Sequence, residues 1–255
     1  MEDAELAGLL DTSGALPPAV EEALPDGRDD YEISIELARF VARLVIARTP
    51  GSVLEFGSGR SSLAIARALG ASGGGRLTSV EDAPQFGREA WTLTESTPGV
   101  DARRVVSRVR LTLTACGPLN GYVDAPAALA ERAPYGLVLV DGPVGPLGRD
   151  WTLLAAIRHL QAGALVVVDD AARPAERKAV QRWLRRWPGL SVALDRPGTA
   201  RGLVVLRFDG DRRATFRART LLGTSYDRLR QKAGEWRAAR GGRAAQADAE
   251  RRVTR

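Results

Sequence analysis

Four short apolar segments of this sequence carry an acidic residue at or just beyond their ends. They are residues 53–56, 77–80, 137–140 and 164–168, and the acids are Glu55, Glu81, Asp141 and Asp169. Segments with a helical spacing of apolar residues lie between them, which is typical of a mostly parallel sheet covered by helices on both faces. We therefore predict an α/β fold with one doubly wound, Rossmann-like sheet that ends in an antiparallel hairpin.

The chain of 255 residues is long enough for one large α/β domain. We predict an acidic, partly ordered lead-in over residues 1–30, the α/β domain over 31–208, an amphipathic helix over 209–240 and a disordered basic tail over 241–255. The closing hairpin is expected at 192–194 and 203–206. Residues 105–114 alternate apolar and polar side chains, which predicts a half-exposed edge strand.

The net charge of +6 at pH 7 arises near one end of the sequence. Residues 209–255 hold 13 basic and 6 acidic side chains, so their net charge is +7. Aromatic residues do not interleave with the basic ones, so we expect no nucleic-acid partner. The predicted helix over 209–240 has two interpretations: it packs on the domain, or it joins two chains as a homodimer.

Composition excludes several classes of site and location. One cysteine, Cys116, excludes a disulfide framework and a cysteine-based zinc site, and one histidine, His159, excludes a multi-histidine metal centre. The apolar runs are too short to cross a membrane. The acidic first residues differ from a secretory signal, so we expect a cytoplasmic protein without a membrane partner.

The acids at the strand ends indicate where a ligand would bind. In an open α/β sheet the ligand crevice lies beyond the carboxyl ends of the strands, where the strand order reverses. Carboxylates gathered there repel one another, so a cationic or hydroxyl-rich ligand would compensate for them. Each acid taken singly could instead cap the helix that follows it.

The loop after the first segment reads Gly57-Ser58-Gly59 and leads into a helix. Its two glycines let a ligand approach the backbone, and the free N–H groups of the helix favour an anion. It lacks the third glycine of a dinucleotide-binding loop, where Ser62 stands instead, and Glu55 would repel a pyrophosphate. A nicotinamide-dependent dehydrogenase is therefore disfavoured.

Four motifs in order resemble those of class I S-adenosylmethionine-dependent methyltransferases. They are residues 53–59 (VLEFGSG), 77–81 (LTSVE), 137–142 (LVLVDG) and 163–170 (GALVVVDD), the last being similar to a segment of the small-molecule O-methyltransferases. The resemblance covers roughly residues 33–207. It implies the doubly wound fold, S-adenosylmethionine as cofactor and methyl transfer as the reaction.

The same resemblance implies the cofactor site. The methionine carboxylate would lie on the loop and on the start of the next helix, and Glu55 would face the amino or sulfonium group. Glu81 would accept the two ribose hydroxyls, and Asp82 with residues near Cys116 would border the adenine. The implied cofactor-binding residues are Glu55, Gly57, Ser58, Gly59, Ser61, Glu81, Asp82 and Asp141.

Three acids resemble the metal-binding trio of the catechol-type O-methyltransferases. They are Asp141, Asp169 and Asp170, and oxygen ligands of this kind suit Mg²⁺. The expected catalytic residues are Asp141 and Asp170. A second interpretation is that one of these two acts as a base without a metal, because Pro143-Val144 stands where related enzymes often have a histidine.

We therefore expect an enzyme that methylates a small-molecule acceptor, at a hydroxyl oxygen, with Mg²⁺ assistance left open. An N-methyltransferase of the same fold remains an alternative, because an amine acceptor needs less base catalysis. A third interpretation is a non-catalytic module that binds the S-adenosyl group and acts through its charged ends. The sequence does not distinguish the acceptor or the oligomeric state.

Overall fold

The computed structural model describes residues 2–10, 14–25, 33–114, 116–143, 149–199 and 201–215. The predicted basic tail and all but the first residues of the predicted C-terminal amphipathic helix lie outside the described residues, so these two predictions stay untested. The same holds for homodimer formation through that helix.

Within the described residues the chain forms nine strands and eight α-helices. The strands are β1 Ser52–Phe56, β2 Gly75–Glu81, β3 Val100–Val106, β4 Val109–Thr114, β5 Gly117–Tyr122, β6 Tyr135–Val140, β7 Leu160–Val168, β8 Leu190–Arg196 and β9 Leu203–Phe208. The helices are α1 Asp3–Gly8, α2 Pro18–Glu21, α3 Ile35–Arg48, α4 Arg60–Ala71, α5 Arg88–Glu95, α6 Pro126–Glu131, α7 Asp150–Ala156 and α8 Pro174–Arg186. A 3₁₀ turn, Ile157–His159, follows α7.

Seven of these strands form one sheet in the order β3-β2-β1-β6-β7-β9-β8. β9 pairs antiparallel with both β7 and β8, whereas the other neighbouring strands pair in parallel. This arrangement confirms the predicted doubly wound sheet with its closing hairpin. The strand order reverses between β1 and β6, so their carboxyl ends flank the crevice where such folds bind ligands.

Strands β1 and β6 are buried along their whole length, because helices cover both faces of the sheet. Along β1, Val53 packs into the core on the α3 and α4 side, whereas Leu54 and Phe56 pack into the core on the α7 and α8 side. β6 alternates in the same way, with Leu137 on the first side and Val138 on the second. The sheet is thus a buried, rigid support for the loops at its carboxyl edge.

The predicted edge strand over 105–114 is wrong, because the chain turns inside it. β3 ends where the Ser107 N–H donates to the Glu81 carbonyl over 2.8 Å, and Ser107 Oγ accepts from the Asp124 N–H over 2.9 Å. The alternating residues then form β4, which pairs with β5 in a separate hairpin. An alternating pattern fits a hairpin with one exposed face as well as it fits a sheet edge.

The described part of the acidic lead-in contains two short helices, α1 and α2. Leu6 on α1 and Val20 on α2 are fully buried in the core on the α3 side. Asp3 forms an ion pair with Arg207 on β9 at 2.8 Å. The predicted limits of the α/β domain remain untested, but these described residues pack as part of its core.

None of the helices in the described part of the chain combines the length and the apolar composition that crossing a membrane requires.

Leu54 and Leu113 offer a matched test of this architecture. Leu54 on β1 is 0% exposed, whereas Leu113 on the β4–β5 hairpin is 84% exposed. We expect Leu54→Ala to lower the free energy of unfolding by about 2–5 kcal/mol, because it leaves a cavity between sheet and helices. Leu113→Ala should change it by less than about 0.5 kcal/mol. Urea unfolding measures both, and equal effects would contradict the assignment of the core.

Candidate functional site

The site lies at the reversal point of the sheet, where the loops after β1, β2, β6 and β7 meet. A cavity of about 370 Å³ opens there. The predicted site residues that line it are Gly57, Ser58, Glu81, Asp82, Asp141 and Asp170. A second cavity of about 480 Å³ adjoins it and is lined by Gly59, Ser61 and again by Ser58 and Asp141. Glu55 and Asp169 line neither cavity.

Glycines allow the loops after β1 and β6 to pass each other at close range. Gly57 has φ of +98°, and a Cβ on it would lie 3.4 Å from the Gly142 nitrogen. A Cβ on Gly142 would lie 3.0 Å from the Gly57 nitrogen and 2.4 Å from the Tyr122 hydroxyl oxygen. The backbone of the Gly57 loop is therefore held against the end of β6, with its polar groups beside the cavity.

Glu55 supports the loop from below. Its Oε2 accepts from the Ser62 hydroxyl at 2.5 Å and the Ser79 hydroxyl at 2.6 Å, and Ser62 Oγ in turn accepts from the Gly59 N–H at 3.1 Å. Complete burial raises the pKa of Glu55 to about 7, against the opposing effect of hydrogen bonds from serines. The carboxylate lies under the loop and lines neither cavity, but its Oε1 has no hydrogen-bond partner among the described residues, so the expectation that Glu55 faces the cofactor stays a prediction.

Ser62 was not singled out from the sequence as a functional residue. The sequence analysis noted it only as the residue that replaces the third glycine of a dinucleotide-binding loop. In the structure its hydroxyl connects Glu55 on β1 to the backbone of Gly59. The usable signal is a fully buried acid on β1, which requires a nearby hydroxyl donor.

Glu81 ends β2 with both carboxylate oxygens engaged. Oε2 accepts from the Ser58 N–H at 2.8 Å and the Ser58 hydroxyl at 3.2 Å. Oε1 accepts from the N–H groups of Asp82 and Ala83, each at 2.9 Å. Burial raises the pKa of Glu81. The carboxylate is thereby fixed at the wall of the first cavity, where the sequence analysis placed it.

The three acids of the predicted metal trio come together. One oxygen from each of Asp141, Asp169 and Asp170 lies within 4.8 Å of the others. Asp169 and Asp170 are buried, whereas the side chain of Asp141 is 21% exposed. Burial, followed by the charges of its two neighbours, raises the pKa of Asp169. Among the described residues, Asp169 Oδ2 and Asp170 Oδ1 have no hydrogen-bond partner.

A buried arginine that the sequence analysis missed enters this cluster. Arg149 Nη2 donates to Asp170 Oδ2 at 2.6 Å and to Asp141 Oδ1 at 3.3 Å. Nη1 donates to the carbonyls of Val140 and Asp169 at 3.2 and 3.0 Å. An arginine in a loop has no periodicity that would reveal it. The sequence feature that could have predicted a nearby cation is the expected group of three carboxylates, because buried carboxylates that lie close together require one.

Tyr122 is a second residue that the sequence analysis missed. It is the last residue of β5, is fully buried and lines the first cavity, and its hydroxyl has no hydrogen-bond partner among the described residues. Burial raises its pKa well above the ordinary value, so the hydroxyl is a neutral donor. No motif or periodicity of the sequence around it identified it as a site residue.

Cys116 lines neither of the two adjoining cavities and lies beside Leu154 and Trp183 in a small, separate cavity. That residues near it border the adenine stays a prediction. Arg60, at the start of α4 and beside the second cavity, donates through its guanidinium to the Leu24 carbonyl at 2.9 Å, so it joins α4 to the segment after α2.

Residues 54–171 match a family model described as a methyltransferase domain. A sequence comparison with curated proteins gives no match.

Solved structures with the same fold include several methyltransferases. A Podospora anserina methyltransferase bound to S-adenosylhomocysteine is 19% identical with a TM-score of 0.55, over 81% of this chain and 94% of that one. A second structure is the O-methyltransferase TomG from Streptomyces achromogenes, which is involved in tomaymycin synthesis and was solved with S-adenosylmethionine. It is 21% identical with a TM-score of 0.55, and the match covers 82% of this chain and 100% of that one. At these identities the similarity establishes the fold.

The raised pKa of Glu55 predicts a specific pH dependence of stability. A carboxyl that titrates near 7 when folded and near 4.5 when unfolded destabilises the folded state progressively as pH rises through that window. Glu55→Gln removes this effect while keeping the shape. The variant should therefore gain about 2–3 kcal/mol in unfolding free energy over the parent between pH 5 and pH 8.

Urea unfolding at the two pH values measures this gain. The exposed Glu89 on α5 provides the control, since Glu89→Gln should leave the pH dependence as it is. A Glu55→Gln curve parallel to that of the parent would contradict the buried, raised-pKa assignment.

Proposed function

We propose that this chain, in which residues 54–171 are a class I S-adenosylmethionine-dependent methyltransferase domain, methylates a hydroxyl oxygen of a small-molecule acceptor. One observation carries the proposal: Glu81 and Asp141, which end strands on opposite sides of the reversal point, line the same cavity. That places a group suited to a ribose and a group suited to an acceptor proton within one crevice.

The cofactor would lie across the two adjoining cavities. The N–H groups of Gly57, Ser58 and Gly59 already donate to Val80, Glu81 and Ser62. The methionine carboxylate would therefore pass over this loop and meet the first turn of α4 at Ser61, because a helix start offers free N–H groups to an anion. Glu81 would accept the ribose hydroxyls, with Asp82 beside it. The Ser58 hydroxyl now holds one acceptor position on Glu81, at 3.2 Å, and would yield it to the ribose.

Asp141 is the proposed base. S-adenosylmethionine supplies a methyl group on a cationic sulfur, which keeps the carbon–sulfur electron pair as the acceptor oxygen forms its bond to carbon. Asp141 takes the proton that the hydroxyl loses and later passes it to water, so charge and atoms balance. It suits this role because its side chain is the most exposed of the three clustered acids. Asp170 faces the same cavity and would assist by orienting the acceptor.

A small acceptor fits the size and lining of the site. The first cavity, of about 370 Å³, is in the range of pockets for small molecules. The fold shared with O-methyltransferases such as TomG supports oxygen as the methylated atom. Tyr122 would contribute a neutral hydrogen-bond donor within the cavity.

The residues fit Mg²⁺ only in part. Asp141, Asp169 and Asp170 offer oxygen ligands of the right kind, and two of their oxygens are free of partners among the described residues. However, the guanidinium of Arg149 already contacts Asp141 and Asp170. A guanidinium and a divalent ion in one cluster repel each other. We therefore derive no step through a metal.

Glu81→Ala tests the cofactor site. We expect S-adenosylhomocysteine to bind about 1.5–3 kcal/mol more weakly, because hydrogen bonds to a charged acceptor are lost. Calorimetric titration measures the affinity. Glu95→Ala, at the exposed end of α5 and outside both cavities, is the control and should bind as the parent does. Unchanged affinity in Glu81→Ala, or no binding by the parent, would refute the proposed site.

Asp141→Asn tests the base. We expect turnover to fall by about 10²–10⁴-fold, the contribution of a positioned base, while S-adenosylhomocysteine still binds. The assay is transfer of labelled methyl from S-adenosylmethionine to a panel of phenols and aliphatic alcohols, with the best acceptor of the parent carried forward. Asp101→Asn, near the amino end of β3 and so at the opposite edge of the sheet, is the control. Equal turnover in Asp141→Asn and the parent would remove Asp141 from the mechanism.

A further inference from the structure

Arg149 is built into the carboxyl edge of the sheet. Its side chain is only 3% exposed, and its two terminal nitrogens make four hydrogen bonds. Two of the acceptors are the carbonyls of Val140, at the end of β6, and Asp169, just after β7. The other two are the carboxylates of Asp141 and Asp170. These bonds use all four terminal N–H groups, so the position of the guanidinium is fixed.

The surroundings of this arginine require a cation. Three carboxylates meet there, and the carbonyls at the ends of parallel strands add partial negative charge. Buried charges are tolerated only when they are paired and hydrogen-bonded. Arg149 supplies the pairing and four hydrogen bonds from within the chain, and only its Nε is buried without a partner among the described residues.

We propose that Arg149 is the resident cation of the Asp141–Asp169–Asp170 cluster, taking the place of a divalent metal and positioning the Asp141 carboxylate toward the cavity. The positioning part rests on the proposed function, because it concerns the orientation of the base. The exclusion of a metal rests only on the geometry of the cluster.

The contacts explain both effects. Arg149 Nη2 bridges Asp141 Oδ1 and Asp170 Oδ2, so the more exposed carboxylate is tied to the buried one. A divalent ion needs oxygens from the same two residues at about 2.0–2.1 Å, which would bring it close to the guanidinium. The repulsion is strong in a site this buried. Removal of the guanidinium leaves the oxygen ligands in place and unneutralised.

Arg173 provides a matched control. It contacts the same oxygen, Asp170 Oδ2, at 3.1 Å, but its side chain is 55% exposed. Its charge is screened by solvent and it does not bridge the acids. An effect of total charge alone would appear in variants of both arginines, whereas occupation of the metal position would appear only in variants of Arg149.

The test measures Mn²⁺ binding to the full chain. The decrease of the electron paramagnetic resonance signal of free Mn²⁺ reports how much is bound. We expect weak binding to the parent and to Arg173→Met, and one Mn²⁺ per chain bound at least tenfold more tightly to Arg149→Met. Adding Asp169→Asn to Arg149→Met should abolish the gain. Arg149→Lys, which keeps a cation, should bind Mn²⁺ as the parent does.

Two results would overturn the proposal. One is tight, one-to-one Mn²⁺ binding by the parent that Asp169→Asn removes, and the other is an Arg149→Met variant that folds without any gain. Circular dichroism and the midpoint of urea unfolding report whether each variant is folded. If Arg149→Met does not fold, the parent and Arg149→Lys decide. Weak Mn²⁺ binding by the parent, together with an Arg149→Lys variant that loses turnover but keeps its affinity for S-adenosylhomocysteine, supports the positioning role. Unchanged turnover in Arg149→Lys refutes that role.

These readouts separate this proposal from the proposed function. Failure of the methyltransferase assignment would appear as absence of S-adenosylhomocysteine binding by the parent. Mn²⁺ binding is measured without cofactor or acceptor, so its outcome stands independently.

Discussion

Charge compensation at the carboxyl edge of the parallel sheet is the constraint on which the rest of this structure depends. The sheet brings the ends of β1, β2, β6 and β7 to one side, and each delivers an acid there. Like charges in a buried crevice are unfavourable unless donors or cations satisfy them. The loops, the buried serines and Arg149 are all arranged around that requirement.

The molecule satisfies its acids in two different ways. Glu55 and Glu81 are held by neutral donors, namely serine hydroxyls and backbone N–H groups, so they shape the loop that would receive the cofactor. The aspartate cluster is held by a guanidinium. Neutral donors leave a carboxylate available for hydrogen bonds with a ligand, whereas an arginine also supplies the positive charge that a metal would otherwise provide.

The acid held by neutral donors, Glu81, and the acids held by Arg149 border the same cavity, so its two sides differ in chemistry. The Glu81 side suits hydroxyl groups of a cofactor, and the Asp141 side suits the proton of an acceptor. Gly142 keeps the two halves in contact, because a Cβ there would lie 3.0 Å from the Gly57 nitrogen and 2.4 Å from the Tyr122 hydroxyl, and Gly57 adopts a φ of +98° that other residues rarely take. The buried sheet beneath holds both halves rigidly, and in-line transfer between two bound molecules depends on such alignment.

The sequence by itself determined the fold class, the acid at the end of each central strand and the glycine loop, because periodicity and turn residues are local properties. It also brought Asp141, Asp169 and Asp170 to one edge, since parallel strands end together. Only the tertiary structure decided the partners: Ser62 and Ser79 for Glu55, Arg149 for the aspartates, the hydroxyl of Tyr122 in the cavity and the turn at Ser107. These groups are brought together by packing and hydrogen bonds between separate elements, and no local pattern encodes such contacts.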